Sequence, residues 1–390
     1  MKPTILTFVA YYLPGYKSGG PVRTIANMVE HLGDEFDFRI VSKDRDSFDK
    51  EPYPGVQVDA WNAVGKAQVF YASPRIMRLR GVAGLLRDTP HDVLYLNSFF
   101  AYGFTTLPLL ARRLGVAPKK PCVIAPRGEF SAGALALKKW KKRPYLMLAR
   151  ALSLYSGLIW QASSPHEKKD IRREFAAQAR QIIVAPDLPP LVAGHGKNNS
   201  SSAVPCQGPL RVLFLSRITP MKNLDFALRV LSRVKVSLIF DIYGPIRDQA
   251  YWRECQRLIA DLPENIAVEY RGSITPDEVS QEMAAYDLFF LPTLGENYGH
   301  VIPEALSAGT PVLVSDTTPW RDLAKHEVGW DVPLRAGEKA FAEHIEKVAH
   351  MSTDQRDQWR QHVAKWTAQM LADPAAVEAN RRLFLSAVRD

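Results

Sequence analysis

Short apolar runs alternate with segments of helical periodicity along almost the whole chain, and this alternation restricts the fold more than any other feature. In the first half, the runs predicted as strands are TILTFVAYY (4–12), FDFRIVSK (36–43), DVLYLNS (92–98), PCVIAP (121–126), a part of SLYSGLIWQASS (153–164), and QIIVAP (181–186). Helical patterns lie between them, for example PVRTIANMVEHLG (21–33) and ASPRIMRLRGVAGLLRD (72–88). This order is typical of parallel sheets covered by helices.

The second half repeats the alternation. Its predicted strands are LRVLFLSR (210–217), VSLIFDIYG (236–244), IAVEYRG (266–272), DLFFLPT (287–293) and TPVLVSD (310–316). Residues 187–209 are rich in Pro, Gly, Ser and Asn and separate the two halves. The chain of 390 residues also exceeds the size of one ordinary hydrophobic core.

We therefore predict an α/β fold with two doubly wound, Rossmann-like domains that face each other across a cleft. The predicted parts are an N-terminal domain (1–190), a linker (191–209), a C-terminal domain (210–372) and a C-terminal helix (373–390) that packs back on the first domain. Ligands of such sheets bind beyond the carboxyl ends of the strands, so the cleft is the expected site.

The charge balance suits a partner that carries phosphates. Fifty basic residues against 41 acidic ones give a net charge of +9, as expected for a protein that binds a nucleotide, a nucleic acid or an anionic membrane. A basic solubilising surface explains the same excess. The three cysteines are far apart, which predicts neither a zinc site nor a disulfide framework and favours a reducing cytosol.

The N-terminal apolar run is predicted to be a buried strand. MKPTILTFVAYYLPGYKSGG has one lysine before the apolar run and no small-residue cleavage site, unlike a signal peptide. No apolar run reaches the roughly 18–20 residues that span a bilayer. We therefore expect a cytoplasmic protein.

A glycine pair, Gly19 and Gly20, comes just before the first predicted helix. Glycine allows close approach of a ligand to the backbone, and a helix N-terminus presents free N–H groups to an anion. The segment is not GxGxxG, so the fingerprint of a nicotinamide-binding site is absent. A tight turn explains the pair equally well.

Two cations follow the first strand of the second half. Arg217 falls at the strand end and Lys222 just before the next helix. A planar guanidinium fork and a mobile ammonium group at the carboxyl end of a strand suit a diphosphate. Two solvated surface cations are the alternative.

The segment GENYGHVIPEALSAGTPVLVSD (295–316) places two carboxylates around a predicted helix start. Glu296 lies in the loop, and Glu304 lies in the first turn after the loop, next to Pro303. Three interpretations are open. The two carboxylates are an acid/base pair, or they accept hydrogen bonds from sugar and ribose hydroxyls beside a phosphate, or Glu304 simply stabilises the helix start.

The order of these motifs resembles the retaining group 1 (family 4) glycosyltransferases of the GT-B fold, of the type that builds bacterial surface polysaccharides. The resemblance covers nearly the whole chain and is strongest over 210–330. It implies that the N-terminal domain (1–190) is the acceptor side and that the C-terminal domain (210–372) binds the nucleotide sugar. It implies that Gly19 and Gly20 approach the donor, that Arg217 and Lys222 bind its diphosphate, that Glu296 binds the transferred sugar and that Glu304 binds the ribose. The implied donor-binding set also contains Arg127, Ser216, Gly244, Ser273, Ile274, Asn297, Tyr298, Gly299, His300 and Val301.

Two segments depart from the family pattern. Arg127 and Gly128 stand where many relatives have His-Gly, and an arginine there could bind the sugar or a phosphate instead. APDLPP (185–190) stands where relatives often have Asn-Gly. Glu167, in the Ser-x-x-Glu start of a predicted helix, is interpreted as a helix cap.

The resemblance implies transfer of a hexose from a UDP- or GDP-linked sugar to a saccharide or lipid-linked acceptor, with retention. The expected route is front-face attack in which the departing diphosphate takes the acceptor proton; double displacement with Glu296 as nucleophile is the alternative. No cofactor and no metal are expected, because side-chain cations stabilise the diphosphate. A sugar-nucleotide epimerase and a non-catalytic sugar-nucleotide-binding protein remain the alternative functions.

The basic cluster KKWKKRPYLMLAR (138–150) combines cations with an apolar run. Such a segment docks on anionic lipid head groups, which predicts a peripheral position on the inner face of the cytoplasmic membrane. A solvated helix face with ordinary core residues is an equal alternative. No motif supports nucleic-acid binding.

Overall fold

The computed structural model describes residues 2–137, 139–191, 208–275 and 277–389. It divides into two compact units, the first made of the residues up to 191 and from 374 onward, and the second of residues 208–373. The predicted linker falls almost entirely outside the described residues. The predicted doubly wound layers are confirmed, because each unit contains a mainly parallel sheet with helices between successive strands.

The sheet of the first unit has eight strands. They are Thr4–Phe8 (β1), Asp37–Lys43 (β2), Trp61–Val64 (β3), Ala67–Ala72 (β4), Val93–Asn97 (β5), Cys122–Ala125 (β6), Ile159–Ala162 (β7) and Gln181–Val184 (β8). Their order is β3-β4-β2-β1-β5-β6-β7-β8, and all pairs are parallel except β3 with β4. The chain leaves β1 toward β2 on one side and returns to β5 on the other, so the topological switch point lies between β1 and β5.

The helices of the first unit before its last strand are Gly20–Leu32 (α1), Leu79–Asp88 (α2), Leu107–Arg113 (α3), Ala132–Ala136 (α4), Lys139–Ala151 (α5) and Pro165–Phe175 (α6). A π-helix, Tyr102–Thr106, leads into α3. In α1 the buried positions recur every three or four residues, as Ile25, Met28, Val29 and Leu32 show, because only one face meets the sheet.

The sheet of the second unit is parallel throughout. Its strands are Leu210–Leu215 (β9), Leu238–Tyr243 (β10), Ile266–Gly272 (β11), Leu288–Leu291 (β12), Val312–Ser315 (β13) and Gly329–Val332 (β14). The order β11-β10-β9-β12-β13-β14 places β9 beside β12. The chain goes from β9 to β10 on one side and returns to β12 on the other, so the switch point of this sheet lies between β9 and β12.

The helices of the second unit are Leu224–Leu231 (α7), Gln249–Ala260 (α8), Val279–Met283 (α9), Val301–Ser307 (α10), Gly337–Ala349 (α11) and Thr353–Leu371 (α12). Two 3₁₀-helices, Pro220–Lys222 and Leu334–Ala336, precede α7 and α11. The central strands β9, β12 and β13 consist mostly of fully buried apolar residues, as expected for strands covered on both faces.

The last helix, Ala375–Arg389 (α13), belongs to the first unit. Its Phe384 ring packs against the rings of Phe36, Phe38 and Tyr95, with centroids 5.2–5.9 Å apart. Leu383 is fully buried on the same helix. These aromatic contacts join the two ends of the chain into one hydrophobic core.

Candidate functional site

Arg217 lies at the switch point of the second unit, two residues after the end of β9. The residue is exposed, and no described residue hydrogen-bonds or ion-pairs with its guanidinium. A cation at the carboxyl edge of a parallel sheet, with its donors facing solvent, can bind an incoming anion without first breaking an internal contact.

Lys222 and Glu296 form an ion pair at the same switch point. Lys222 ends the 3₁₀-helix after β9, and its Nζ donates to Oε1 of Glu296 in the loop after β12. The two side chains are only 10% and 11% exposed. The structure thus brings together two of the three residues predicted to be catalytic.

Hydrogen bonds hold the loops that carry this pair side by side. The backbone N–H of Leu294 donates to the carbonyl of Met221 at 2.8 Å, and the hydroxyl of Thr293 donates to the same carbonyl at 3.0 Å. Asn223, in the left-handed conformation at φ 59°, donates its side-chain amide to Pro292 O at 2.8 Å. These bonds fix the loop after β9 against the loop after β12, and Lys222 contacts Glu296 for this reason.

The loop between Glu296 and α10 turns at Gly299. This glycine has φ +74°, and a Cβ there would lie 3.3 Å from Cγ of Glu296 and 3.1 Å from Cδ1 of Ile302. The indole of Trp320 donates to the carbonyl of Tyr298 at 2.6 Å, and their rings pack at 5.6 Å. A side chain at residue 299 would thus disturb the position of Glu296.

Helix α10 begins at Val301, with Glu304 in its first turn, as the sequence predicts. Glu304 is partly buried, and its N–H donates to the carbonyl of His300 at 3.2 Å. His300 is buried and its ring lies 4.8 Å from that of Tyr298. Asn297 is the remaining predicted donor residue of this loop, next to Glu296.

The predicted residues at the ends of β10 and β11 continue this edge of the sheet. Gly244 follows β10 at φ +129°, and a Cβ on it would lie 1.9 Å from the carbonyl oxygen of Ser216. Its own carbonyl accepts a hydrogen bond from the hydroxyl of Tyr270 at 2.9 Å. Beyond β11, Ser273 is exposed and Ile274 packs partly against the core. The close approach of the chain at Gly244 requires glycine.

The predicted glycine pair of the first unit lies at its own switch point. Gly19 has φ +69°, immediately before α1, which begins at Gly20. A Cβ on Gly19 would meet no atom within 4 Å, so the positive φ rather than crowding favours glycine there. The carboxylate of Asp46 supports this loop by accepting the N–H groups of Tyr16 and Lys17 at 2.8 and 3.0 Å.

The side chain of Arg127 is buried, and its guanidinium is bonded on every side. It forms an ion pair with Asp187 at 2.5 Å, donates to Asn97 Oδ1 at 2.8 and 3.1 Å and donates to the hydroxyl of Tyr95 at 2.5 Å. Burial opposes its charge, but Tyr95, Asp187 and Glu167 together raise the pKa of Arg127. This geometry gives Arg127 a structural role, and its contact with a donor stays a prediction.

The ion pair joins the two segments that depart from the family pattern. Arg127 stands after β6 and Asp187 after β8, sixty residues apart, and their side chains are 8% and 2% exposed. Thr24 of α1 donates its hydroxyl to the other oxygen of Asp187 at 3.0 Å. The two departures therefore act as one unit that ties the ends of β6 and β8 to α1.

Two glutamates, Glu129 and the buried Glu167, hold the loops on either side of Arg127. Burial raises the pKa of Glu129 to about 7, although its carboxylate accepts the N–H groups of Phe99 and Phe100 at 2.5 and 3.0 Å. Burial also raises the pKa of Glu167, which accepts from the N–H of Gly128 at 2.5 Å. The other carboxylate oxygen of Glu167 accepts from the N–H and the hydroxyl of Ser163, both at 2.7 Å, so Glu167 also supports backbone at its helix start, the kind of role the sequence predicts.

A cavity of about 590 Å³ opens in the first unit at the carboxyl ends of β1, β2 and β4. Charged and aromatic side chains dominate its lining, which is Ala10, Tyr11, Lys43, Asp44, Arg45, Asp46, Phe48, Asp49, Ala72, Pro74, Met77, Ala101, Tyr102, Gly103 and Phe104. This cavity is not predicted from the sequence. The run of charges KDRD directly after β2 is the signal that could have indicated it, because it follows a strand end.

Two family models match the chain. The model "Glycosyl transferase 4-like domain" matches residues 19–187, and the model "Glycosyl transferases group 1" matches residues 198–366. The second range contains Arg217, Lys222 and both glutamates of the α10 region.

Curated relatives and solved structures are consistent with these matches. An uncharacterized glycosyltransferase of Methanocaldococcus jannaschii, MJ1607, is 26% identical over 40% of this chain, but the matched part spans only 43% of that relative. An uncharacterized 41.2 kDa protein from the cps region of Klebsiella pneumoniae is 25% identical over 76% of this chain and 78% of its own length. The crystal structure of Anabaena HepE with UDP and glucose superposes with a TM-score of 0.68 at 16% identity, covering 98% of this chain and 99% of HepE, which shows the shared fold.

Proposed function

Because this chain belongs to the group 1 glycosyltransferases, we propose that it transfers a hexose from a UDP- or GDP-linked sugar to a saccharide or lipid-linked oligosaccharide, with retention. The proposed pathway class is the biosynthesis of cell-surface polysaccharide. Support comes from the relative in the cps region of Klebsiella pneumoniae and from the fold shared with HepE, whose structures contain UDP-glucose or UDP.

One observation carries the proposal: an exposed arginine and a lysine–glutamate pair occupy the switch point of the second unit. Arg217 follows β9, while Lys222 and Glu296 join the loops after β9 and β12. Ligands of doubly wound sheets bind at this point. Two cations there suit the diphosphate of a nucleotide sugar.

Arg217 and Lys222 stabilise the charge that develops on the leaving diphosphate. The exposed guanidinium of Arg217 can donate two parallel hydrogen bonds to phosphate oxygens. Lys222 has its position fixed by the loop contacts, so little reorganisation is needed when charge accumulates. Preorganised cations of this kind act more strongly in the transition state than in the bound donor.

Glu296 positions both Lys222 and the transferred sugar. One carboxylate oxygen accepts from Lys222, and the second oxygen has the capacity to accept a sugar hydroxyl. Glu304, in the first turn of α10, has the matching role for the ribose hydroxyls. Neither carboxylate needs to approach the phosphates, where the two anions would repel each other.

The proposed step conserves the configuration at the anomeric carbon. The bond from that carbon to the diphosphate breaks, and the departing phosphate oxygen takes the proton of the acceptor hydroxyl. The acceptor oxygen then bonds to the same face of the sugar. The alternative, attack by Glu296, is less favoured because its charge is partly neutralised by the ion pair with Lys222.

The cavity of the first unit is proposed to bind the acceptor. Its lining combines aromatic rings, for example Tyr11 and Tyr102, with charged groups such as Lys43 and Asp49. Saccharides present apolar ring faces and many hydroxyls, which such a mixture of groups can bind. If the acceptor is polyprenyl-linked, the enzyme acts from the cytoplasm at the inner face of the cytoplasmic membrane.

A panel of donors tests the proposal. Purified chain is incubated with UDP-, GDP- and ADP-sugars, and nucleotide release and the product anomer are followed by NMR. We expect one donor to release its nucleoside diphosphate and give a sugar of unchanged configuration, with turnover lost in Glu296→Ala. Conversion of one donor into another would identify an epimerase, and thermal stabilisation by a donor without turnover would identify a binding protein.

A further inference from the structure

Helix α5 presents apolar residues on two opposite sides. Leu146 and Ala149 are buried against the first unit. Trp140, Met147 and Leu148 face solvent and are 74%, 69% and 58% exposed. A surface helix ordinarily has one apolar stripe, which it buries, and polar residues elsewhere. The packing of the first unit therefore does not account for the outer apolar residues of α5.

The outer residues of α5 form a continuous stripe. Their spacing of four, three, one and three residues places them on one side of the helix; they are Trp140, Pro144, Met147, Leu148 and Ala151. Leu137 extends the stripe before the helix and Leu152 after it. Five of the seventeen exposed large apolar side chains of the described residues fall within 137–152, so the exposure is concentrated in this segment.

Basic residues flank the stripe, and acidic residues are absent from α5. The helix sequence KWKKRPYLMLARA contains five cations. Lys139, Lys141 and Arg143 are exposed near the end that carries Trp140, and Lys141 Nζ lies 4.7 Å from the centroid of the Trp140 ring. Positive charge beside an exposed tryptophan is the combination found in helices that lie at a lipid–water interface.

The dimensions of α5 suit a surface position rather than a span. Its 13 residues correspond to a length of about 20 Å, against about 30 Å for the hydrocarbon core of a bilayer. Among the helices that the structure describes, none has the length and apolarity to cross a membrane. A helix of this size lies parallel to the membrane, with its apolar stripe inserted at the boundary of head groups and acyl chains.

We propose that α5 docks this chain on an anionic phospholipid surface. Trp140, Met147 and Leu148 insert below the head groups, and the flanking cations contact the lipid phosphates. Charge complementarity selects this partner, since the docking segment is purely basic within a chain of net charge +9. This docking requires neither donor nor turnover and so goes beyond the transferase activity.

Contacts within the first unit connect the docking helix to the cavity. Lys142 Nζ lies 5.0 Å from the centroid of the Phe100 ring, and the hydroxyls of Tyr145 and Thr106 are 2.8 Å apart. The segment between Phe100 and Thr106 contributes Tyr102 to the cavity lining. For a chain with the proposed function, a lipid-linked acceptor would thus reach the cavity from the docked side.

Co-sedimentation of the full chain with vesicles tests the docking. We expect binding to phosphatidylcholine vesicles that contain phosphatidylglycerol and weak binding to phosphatidylcholine alone. The variant Lys139→Gln/Lys141→Gln/Arg143→Gln should bind about 100-fold more weakly, because each cation near the surface contributes roughly a fivefold change. Trp140→Gln/Met147→Gln/Leu148→Gln should lose binding while keeping its circular-dichroism spectrum.

Matched substitutions elsewhere provide the controls. Lys325→Gln/Lys339→Gln/Lys347→Gln removes the same charge from exposed positions of the second unit, and Leu385→Gln/Val388→Gln removes exposed apolar residues from α13. Both should bind vesicles like the native chain. The proposal is overturned if the native chain does not bind, or if the controls weaken binding as much as the α5 variants do.

Two further results would assign the stripe to another partner. A concentration-dependent dimer that Trp140→Gln abolishes, without vesicle binding, would identify a second copy of the chain as the occupant. Displacement of the native chain from vesicles by an oligonucleotide at equal ionic strength, together with tighter oligonucleotide binding, would favour nucleic acid. A chain that binds vesicles but turns over no donor would support the docking and refute the transferase activity, so the two failures are distinguishable.

Discussion

Removing one partner of the Lys222–Glu296 pair should destabilise the second unit strongly, and removing both should destabilise it much less. The side chains are 10% and 11% exposed, so a single substitution leaves a charge that water solvates only in part. Breaking a buried pair on one side costs about 3–5 kcal/mol of unfolding free energy. Because a tenth of each side chain still meets solvent, we expect the lower end, about 3 kcal/mol, for Lys222→Gln and for Glu296→Gln.

The double variant Lys222→Gln/Glu296→Gln leaves no charge in the pocket. Its loss of unfolding free energy should be about 1–2 kcal/mol, well below the roughly 6 kcal/mol expected if the two effects were additive. Donor turnover, in contrast, should be lost in all three variants, because the proposed roles of Lys222 and Glu296 both require their charges. The double variant would therefore be nearly as stable as the native chain and inactive.

Differential scanning calorimetry of the full chain, which can separate the transitions of the two units, measures the stability side of this cycle. Release of nucleoside diphosphate from the donor measures the activity side. The account fails if the double variant keeps native turnover, because the pair would then be purely structural. It also fails if each single variant loses less than about 0.5 kcal/mol, since the ion pair would then be a solvated surface contact.

Three other changes have outcomes that follow from the structure. Gly244→Ala should lower the unfolding free energy, measured by urea titration, by about 3 kcal/mol or more, because its Cβ would lie 1.9 Å from Ser216 O. Gly272→Ala, with open space around it, should cost only about 1 kcal/mol in the same titration. Equal losses would contradict this prediction. Burial raises the pKa of Glu129 to about 7, so the fold favours the protonated form of this carboxyl. As the pH rises from about 4.5 through 7, the unfolding free energy of the native chain should therefore fall by about 3 kcal/mol relative to that of Glu129→Gln. Parallel stability curves of the two proteins would refute this prediction. Donor turnover should be unchanged in excess EDTA, because Arg217 and Lys222 supply the positive charge, and recovery of a lost rate by added Mg²⁺ would show that a metal is needed.

Most strands of both units could be predicted from the sequence, among them the edge strands β8 and β11, whereas β3, β4 and β14 could not. Long runs of buried apolar residues mark β1, β5, β9 and β12, because strands covered on both faces need apolar residues throughout. In the antiparallel pair, β3 was missed because its four residues are only partly buried or exposed and show no strong alternation. The mostly buried run of β4 was overlooked. The four residues of β14 include a glycine and two partly buried positions, and their pattern was as weak as that of β3.

The positions of the site residues could be predicted because each residue follows a strand, but their contact partners could not be predicted. Arg217 and Lys222 were placed at a sheet edge because each follows an apolar run that ends abruptly. The contact of Lys222 with Glu296 joins residues 74 positions apart, and that of Arg127 with Asp187 joins residues 60 apart. Local periodicity contains no information on such pairs, so the burial of Arg127 could be learned only from the structure.

Helix boundaries were the least reliable part of the prediction. The segment 72–88 was predicted as one helix, but α2 begins at Leu79. The residues before Leu79 form turns instead, where Ile76 N–H donates to the carbonyl of Ser73 at 3.1 Å. Pro74 explains the difference, because proline cannot donate a backbone hydrogen bond and disfavours helical conformation in the residue before it.

The central claim is that the cations at the switch point of the second unit bind the diphosphate of a sugar donor and stabilise it as it leaves. Single-turnover kinetics of the native chain and of Arg217→Gln, with the donor that the panel identifies, tests this claim most directly. The account predicts that the substitution lowers the rate of nucleoside diphosphate release about 100–1,000-fold, while the affinity for the corresponding nucleoside, which has no phosphate, stays unchanged. A native rate in Arg217→Gln would contradict the claim.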